Sequence, residues 1–345
     1  MAIKRINLAL QGGGAHGAFT WGVLDTLLRD EDIEIASISG TSAGALNAAA
    51  LKSGMVADGR AGAIANLNWL WEQVGATADT ATSRWLQTFG PSADVVAKAL
   101  EHSPAFAAFD FTTRLMSPYI YGPLLKNPLA RIVEEFNYDR VCEHAGPEIN
   151  ICATNVRSGK VRVFSGEEIT SDVIMASACL PTIFQAIEFV DPKTGKEEAF
   201  WDGGYTGNPA LFPLFRNDLP DDILVVNINP LHREELPTSP QAIANRINEI
   251  SFNSSLLREL RAIHFVKRLL RDGSVKPGTM KNVLVHMISD DALMNTLNVA
   301  TKTIPTPMIL QQLKIAGQDA AKSFIDQHKA SLNKHSTLDL DAMFS

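Results

Sequence analysis

The chain has 345 residues, of which 46% are hydrophobic and 20% are charged, so it can bury a large core and is not a disordered polymer. Its formal net charge is −7 at pH 7, and its Lys and Arg residues are scattered along the sequence. Because no basic cluster is present, the charge pattern disfavours a nucleic acid partner and steady electrostatic adhesion to anionic lipid.

The hydropathy of the chain favours a cytoplasmic protein. The apolar run at residues 6–10 is too short for a signal-peptide core. No window approaches 18 uninterrupted apolar residues, so no membrane-spanning helix is predicted. Any contact with a membrane surface is then expected to be peripheral and transient, and to depend on apolar side chains.

Two strand–loop–helix units are predicted in the first fifty residues. The first is an apolar strand at 6–10, a glycine-rich loop and a helix at 18–29 with apolar residues at helical spacing. The second is a strand at 33–39, a loop with two further glycines and an alanine-rich helix at 45–52. This alternation predicts an α/β fold with a parallel sheet.

A helical excursion is predicted at residues 61–135, broken by Pro and Gly. Its segment 105–125 is unusually apolar, so these side chains either complete the core or form a cap whose apolar face meets lipid. Trp69, Trp71 and Trp85 pose the same alternative.

The rest of the chain returns to strands and ends in helices. The predicted strands are residues 149–154, 161–164, 186–190, 199–201, 223–228 and 283–287. The predicted helices are residues 240–271 and 307–330, and the last dozen residues read as a tail. We expect a catalytic core at 1–230 and a mostly helical region at 231–345, which could pack on the sheet, cover the site or form a homodimer face.

The three cysteines are odd in number and form no Cys-x-x-Cys pair. None lies near a histidine at the spacing of metal ligands. We therefore expect reduced, mostly buried thiols at Cys142, Cys152 and Cys179.

Residues 12–17 match the pattern G-x-G-x-x-G between a strand and a helix, which is typical of dinucleotide-binding loops. An NAD or flavin oxidoreductase also needs an acidic residue at the end of the second strand. Glu31, Asp32 and Glu34 precede or begin that strand, so they would lie at its wrong end. The dinucleotide hypothesis is therefore weak.

The glycine-rich loop could instead serve a catalytic nucleophile. Residues 40–44 read Gly-Thr-Ser-Ala-Gly, a G-x-S-x-G elbow that exposes Ser42 between a strand and a helix. The helix dipole at this position favours developing negative charge. The amides of the glycine-rich loop could then bind the oxyanion of an acyl-transfer intermediate.

A serine needs a base, and two candidates follow strands. Asp202 ends an apolar strand and is followed by Gly203 and Gly204, an arrangement that delivers one carboxylate to a site. His286 lies at a probable strand end but has no acid-turn-His arrangement around it. Asp202 is the stronger candidate, although an aspartate is a weak base at its reference pKa of about 3.9.

Four separated blocks resemble the patatin-like phospholipase family. They are GGGAHG at 12–17, GTSAG at 40–44, ASACLPTIF at 176–184 and DGG at 202–204. The resemblance implies a three-layer α/β/α fold and hydrolysis of lipid acyl esters with no cofactor and no essential metal.

The resemblance also implies roles for individual residues. Ser42 would be the nucleophile, and Asp202 would be the general base and then the general acid. The oxyanion donors would be Gly12, Gly13 and Gly14, with Gly40, Gly44, Gly203 and Gly204 in support. The family often has Arg or Lys where this chain has His16. We expect His16 either to act as a donor that titrates near pH 6–7 or only to cap the helix start.

Three classes of function stay open at this point. A serine esterase of lipid acyl esters leads, with a Ser–His hydrolase as its mechanistic variant. A dinucleotide-binding oxidoreductase is the second class. The third is a lipid-binding module in which turnover is suppressed.

Overall fold

The computed structural model describes residues 3–78, 116–121 and 127–345, and its described part is built on one eight-stranded sheet. The strands are β1 (Lys4–Leu10), β2 (Ile33–Thr41), β3 (Glu148–Asn155), β4 (Val161–Ser165), β5 (Ile187–Asp191), β6 (Lys196–Asp202), β7 (Asp222–Val226) and β8 (Leu284–Ile288). The strand order is β5–β6–β3–β2–β1–β7–β8, with β4 also paired to β3.

The sheet is mixed and mainly parallel. Strands β3, β2, β1, β7 and β8 run parallel, whereas β4 and β6 are antiparallel to β3, and β5 is antiparallel to β6. Leu10 at the end of β1 pairs with Gly40 of β2 and with Val226 of β7. The carboxyl ends of these strands therefore meet at one edge, where α/β sheets form their ligand sites.

Helices lie on both faces of this sheet. The helices of the described residues are α1 (Gly17–Arg29), α2 (Ala43–Ala76), α3 (Pro118–Tyr121), α4 (Leu129–Glu134), α5 (Tyr138–Cys142), α6 (Ser171–Ser177), α7 (Pro240–Arg271), α8 (Asp291–Thr296), α9 (Val299–Thr303), α10 (Pro307–His328) and α11 (Leu340–Phe344). Short 3-10 helices include Gly14–His16 and Gly203–Tyr205. Helix α2 joins the helix predicted at 45–52 to the start of the predicted helical excursion, across a kink at Asp58 and Gly59 where the backbone is non-helical and φ is 55° at the glycine.

Successive side chains of the central strands point to opposite faces of the sheet, so the protein has a hydrophobic core on each face. In β1, Leu8 and Leu10 join the core formed with α1, α2 and α10. Ala9 points to the other face and joins the core that contains Leu256 and Leu260 of α7. The sequence prediction of a three-layer α/β/α architecture is therefore confirmed.

The region after residue 230 contributes to both faces and to the sheet itself. It supplies the edge strand β8, and α7 and α10 cover opposite faces. The prediction that the last dozen residues form a loose tail is wrong. The amides of Thr337 and Leu338 donate to the carbonyl of Val285, and Leu340 of α11 is buried because it packs into the core under α7.

The predicted helical excursion at 61–135 is described only in part. Within it, Trp71 is buried and stacks on Trp21 at a centroid distance of 6.3 Å, and Trp69 packs on Phe136 at 5.8 Å. These two tryptophans belong to the core. Trp85 and most of the predicted apolar cap at 105–125 lie outside the described residues.

Two glycines bring α1 and α10 into close contact. A Cβ atom at Gly22 would collide with the backbone carbonyl of Lys314, and a Cβ atom at Gly317 would collide with that of Phe19. The backbones therefore approach closely enough that no larger residue fits without a shift of a whole helix.

We expect Gly22→Ala to lower the free energy of unfolding by at least about 2 kcal/mol, because backbone atoms must move to admit the methyl group. Gly75→Ala in α2 is the matched control, since the nearest atom to its methyl group would be a side-chain atom of Leu310, at 3.3 Å. Urea unfolding followed by circular dichroism measures both variants. Equal stabilities would contradict the close approach of α1 and α10.

Candidate active site

Ser42 lies between the end of β2 and the start of α2 in a strained backbone conformation. Its φ is 54° and its ψ is −119°, a region that residues other than glycine rarely adopt. A Cβ atom at Gly44 would collide with the carbonyl of Leu10, and one at Gly40 would collide with the carbonyl of Gly44. The two glycines therefore let the start of α2 pack directly on the strand ends and hold Ser42 at the carboxyl edge of the sheet.

Asp202 is the last residue of β6 and lies next to this elbow. Thr41 pairs with Cys152 of β3, and the following residue, Ala153, pairs with Asp202. The register of three neighbouring strands thus brings together two residues that are far apart in sequence. Ser42 is 7% exposed and Asp202 is 1% exposed, so both side chains are largely removed from water.

The carboxyl group of Asp202 has an unusual environment. Its Oδ1 accepts a hydrogen bond of 2.7 Å from the amide of Gly204, whereas Oδ2 has no hydrogen-bond partner within the described part of the chain. Burial raises the pKa of Asp202 from 3.8 to about 7, against the opposing effects of the Gly204 amide and the Ser42 hydroxyl. The group is therefore near its titration midpoint at neutral pH.

The segment 176–184 holds both residues through their backbones. The Oγ of Ser177 accepts a hydrogen bond of 2.9 Å from the amide of Ser42 and donates one of 2.6 Å to the carbonyl of Cys152. The carbonyl of Cys179 accepts a hydrogen bond of 2.8 Å from the amide of Asp202. The segment resembles the family in sequence, but no local pattern predicts a role for Ser177.

The glycine-rich loop packs against the serine. A Cβ atom at Gly12 would lie 2.6 Å from the Cβ of Ser42. The amide of Gly12 donates a hydrogen bond of 2.7 Å to Oδ1 of Asn208, so it is occupied. In the described part of the chain, no acceptor engages the amides of Gly13 and Gly14. These two glycine amides are therefore free to donate to a ligand.

Gly203 and Gly204 follow Asp202 in a tight turn. A Cβ atom at Gly203 would collide with the carbonyl of Cys152, and one at Gly204 would lie 2.8 Å from the ring of Phe252 on α7. The turn is therefore sandwiched between β3 and α7, which fixes the carboxylate at the end of its strand.

His16 differs from its sequence-based prediction. Burial, with the charges of Lys302 and Arg233, holds the pKa of His16 well below its usual 6.5, so a charge that changes near pH 6–7 is not found. The alternative role as a helix cap is wrong as well, because its side chain makes no capping hydrogen bond. Instead, Nε2 lies 2.9 Å from Oγ1 of Thr301 in α9.

Comparison with known proteins gives the family. The sequence model described as patatin-like phospholipase matches residues 8–215. The chain belongs to the patatin-like phospholipase family. No curated protein sequence gives a significant match.

Two solved structures are similar to this patatin-like chain. One is VipD from Legionella pneumophila, at 18% identity and a TM-score of 0.44, with 94% of this chain and 67% of VipD covered. The other is the ExoU–SpcU complex from the type III secretion system of Pseudomonas aeruginosa, at 18% identity and a TM-score of 0.29, with 96% and 61% covered. The chain thus spans roughly two thirds or less of these neighbours.

The alternative base His286 is not part of this site. Its Nε2 lies 2.9 Å from Oδ1 of Asp222, and its Nδ1 lies 2.9 Å from Oγ1 of Thr337. Asp222 begins β7, whereas the site lies beyond Val226 at the other end of that strand. His286 therefore fastens the C-terminal segment to the sheet, and the Ser–His variant has no support.

The acidic residues considered for a dinucleotide lie at the wrong edge. Asp32 precedes β2 and pairs with Lys329 at 2.8 Å, and Glu34 pairs with Arg5 at 2.9 Å. Glu31 lies in the same turn before β2. None of them is near the glycine-rich loop, which follows the carboxyl end of β1.

Several other features concern ligands and membranes. Within residues 3–78, 116–121 and 127–345, no cluster of three or more His, Cys, Asp or Glu side chains is arranged to hold a metal ion. In the same part of the chain, no helix has the length and apolarity that crossing a bilayer requires. The thiols of Cys142, Cys152 and Cys179 are all free, and the last two are buried.

The raised pKa of Asp202 makes a prediction about stability. A carboxyl group whose pKa is higher in the folded than in the unfolded state makes its full contribution to the free energy of unfolding below about pH 4. That contribution is lost as the pH rises through 7. We therefore expect Asp202→Asn to be more stable than the wild type at pH 8, by up to about 4 kcal/mol at 1.4 kcal/mol per pKa unit. Its advantage should shrink toward pH 4.

Asp191→Asn is the matched control for this measurement. Asp191 is also buried, but the hydrogen bonds and charges of Arg162 and Lys193 together outweigh burial and hold its pKa below its usual value, so its replacement should destabilise the protein at pH 8. Urea unfolding at pH 4.5 and pH 8 compares the two variants with the wild type. A loss of stability in both variants at pH 8 would contradict the environment described for Asp202.

Proposed function

We propose that this chain is a serine hydrolase of lipid acyl esters, of the phospholipase A or lysophospholipase type, with Ser42 as nucleophile and Asp202 as general base. The observation that carries the proposal is the buried carboxyl group beside the strained serine. An aspartate with an ordinary pKa would hold a proton from serine poorly at neutral pH. Burial raises the pKa of Asp202 to about 7, which is the range in which a general base works best.

Acylation begins when Ser42 Oγ attacks the carbonyl carbon of the ester. Asp202 takes the hydroxyl proton, and the carbonyl π electrons move to the oxygen to give a tetrahedral oxyanion. Oδ2 is the oxygen suited to this step, because Oδ1 already accepts from the Gly204 amide. When the intermediate collapses, the bond to the alcohol oxygen breaks and Asp202 returns the proton to that oxygen.

Deacylation repeats these steps with water. Asp202 removes a proton from a water molecule that attacks the acyl group on Ser42, and a second tetrahedral oxyanion forms. Its collapse releases the carboxylic acid and returns the proton to Ser42 Oγ. The water-poor surroundings of both side chains strengthen every electrostatic interaction in these steps.

The free amides of Gly13 and Gly14 are assigned to the oxyanion. They follow Gly12, which packs on the serine itself, and they stand at the start of the 3-10 helix that leads into α1. The Gly12 amide is engaged by Asn208, so Gly12 serves as the close contact to Ser42 and contributes no donor. Family membership supports lipid acyl esters as the substrate class.

We expect Ser42→Ala to lower kcat by at least about 10³-fold and Asp202→Asn to lower it by about 10²- to 10⁴-fold. Both variants should also lose labelling by a fluorophosphonate probe. The assay measures hydrolysis of phospholipids, lysophospholipids, acylglycerols and acyl-CoA, so it also defines the preferred ester.

Two control variants make this assay specific. Ser53→Ala replaces a second buried serine, which lies within α2, and should keep both hydrolysis and labelling. His286→Ala should reduce stability but leave the catalytic step intact in folded protein. Full activity in Asp202→Asn together with lost activity in His286→Ala would overturn the assignment of the base.

A further inference from the structure

The glycine-rich loop is backed by a helix near the C-terminus that lies outside the family match at residues 8–215. A Cβ atom at Gly14 would collide with the backbone carbonyl of Lys302 in α9. The neighbouring Thr301 contacts His16, as described above. The loop therefore rests on α9, across more than 280 residues of sequence.

A relay of polar groups connects the Lys302 side chain to the loop. Nζ of Lys302 donates a hydrogen bond of 3.3 Å to Oδ1 of Asn229. Nδ2 of Asn229 donates one of 2.8 Å to the carbonyl of Gly12. That carbonyl belongs to the same peptide group as the amide of Gly13, one of the two free donors. A hydrogen bond to a peptide carbonyl polarises the group and makes its N–H a stronger donor.

The positive charge of Lys302 is only partly neutralised by the groups around it. Among the described residues Glu249 is the carboxylate paired with Lys302, but its oxygens lie 2.6 Å from Arg233 and 3.3 Å from Arg246, compared with 4.0 Å from Lys302. His16 is neutral at pH 7 because its pKa is low. The Lys302 side chain is 17% exposed, so solvent screens its charge only weakly.

We propose that Lys302 is a positioning residue for the hydrolysis proposed above: its ammonium group, acting through Asn229, polarises the Gly12–Gly13 peptide and so strengthens the Gly13 amide as an oxyanion donor. This inference rests on the proposed function. It assigns a catalytic contribution to the C-terminal region, which the family match does not include.

The relay should be visible in the pH dependence of the reaction. Burial lowers the pKa of Lys302 to about 8, with Glu249 raising it and Arg233 lowering it. The charged and titratable groups that face Lys302 are Glu249, Arg233 and His16. Hydrolysis should therefore rise toward pH 7 as Asp202 ionises and fall above pH 8 as Lys302 loses its proton.

Substitution of Lys302 tests the relay directly. Lys302→Arg keeps its charge at high pH, so it should retain most of the wild-type kcat at pH 7.5 and lose the decline above pH 8. Lys302→Met should lower kcat by about 10-fold with little change in KM, since it weakens one oxyanion donor without removing it. The kcat of Lys302→Met at pH 7.5 should match that of the wild type well above pH 8.

A matched lysine and a second relay variant complete the experiment. Lys267 is also held by hydrogen bonds in the C-terminal region, and burial lowers its pKa, but it is bonded to Val283 and Ser336, away from the loop. Lys267→Arg should keep the decline above pH 8. Asn229→Asp can accept from Lys302 but cannot donate to Gly12, so it should lower kcat as Lys302→Met does.

The outcomes separate this inference from the function on which it rests. If Ser42→Ala is inactive and Lys302→Arg keeps the alkaline decline, Lys302 is not the group that titrates and the relay is wrong. A folded Lys302→Met or Asn229→Asp variant with wild-type kcat would also overturn it. If Ser42→Ala hydrolyses esters as the wild type does, the proposed function itself fails and this inference fails with it.

Discussion

Asp202 ends a strand with 1% of its surface exposed, and its carboxylate accepts a hydrogen bond from the Gly204 amide. Ionisation of such a group is unfavourable, and burial accordingly raises its pKa to about 7. In the proposed mechanism, the same burial that costs stability makes the carboxylate basic enough to take a proton from Ser42. The rest of the site holds the Asp202 carboxylate in this buried position, although its ionisation there is unfavourable.

Hydrogen bonds between residues far apart in sequence hold Ser42, Asp202 and the glycine-rich loop in place. Ser177 and Cys179, two residues apart, hold the backbones of Ser42 and Asp202. Asn208 holds Gly12, and its own amide donates a hydrogen bond of 3.0 Å to Oγ of Ser255 on α7. Ser42, Asp202 and the glycine-rich loop are therefore held by elements from distant parts of the sequence, including the C-terminal region.

Local sequence patterns were sufficient to predict the elements that carry the site. The strand–glycine–helix pattern located the loop at 12–17 and the elbow at Ser42, since both depend on residues close in sequence. Asp202 could be proposed because it ends an apolar strand before two glycines. The α/β architecture followed from the same alternation of strands and helices, and helix α7 was predicted with its observed bounds.

The supporting contacts could not be predicted, because they join segments that no local pattern relates. Asn229 and Lys302 carry no motif, and their relation to Gly12 depends on how α9 packs against the loop. The same packing buries His16 and lowers its pKa, which is why its predicted charge was wrong. Helix α2 extends beyond its predicted end because it continues, across non-helical backbone at Asp58 and Gly59, into a segment that was predicted separately as helical.

The titration of the Asp202 carboxyl group tests the central claim most directly. Solution NMR of the protein with ¹³C-labelled aspartate carboxyl groups, compared with Asp202→Asn to assign the signal, gives its midpoint in the folded protein. We expect a midpoint near pH 7. A midpoint near the ordinary value of 3.8 would mean that the carboxylate is hydrated or paired, and it would contradict the assignment of Asp202 as the base.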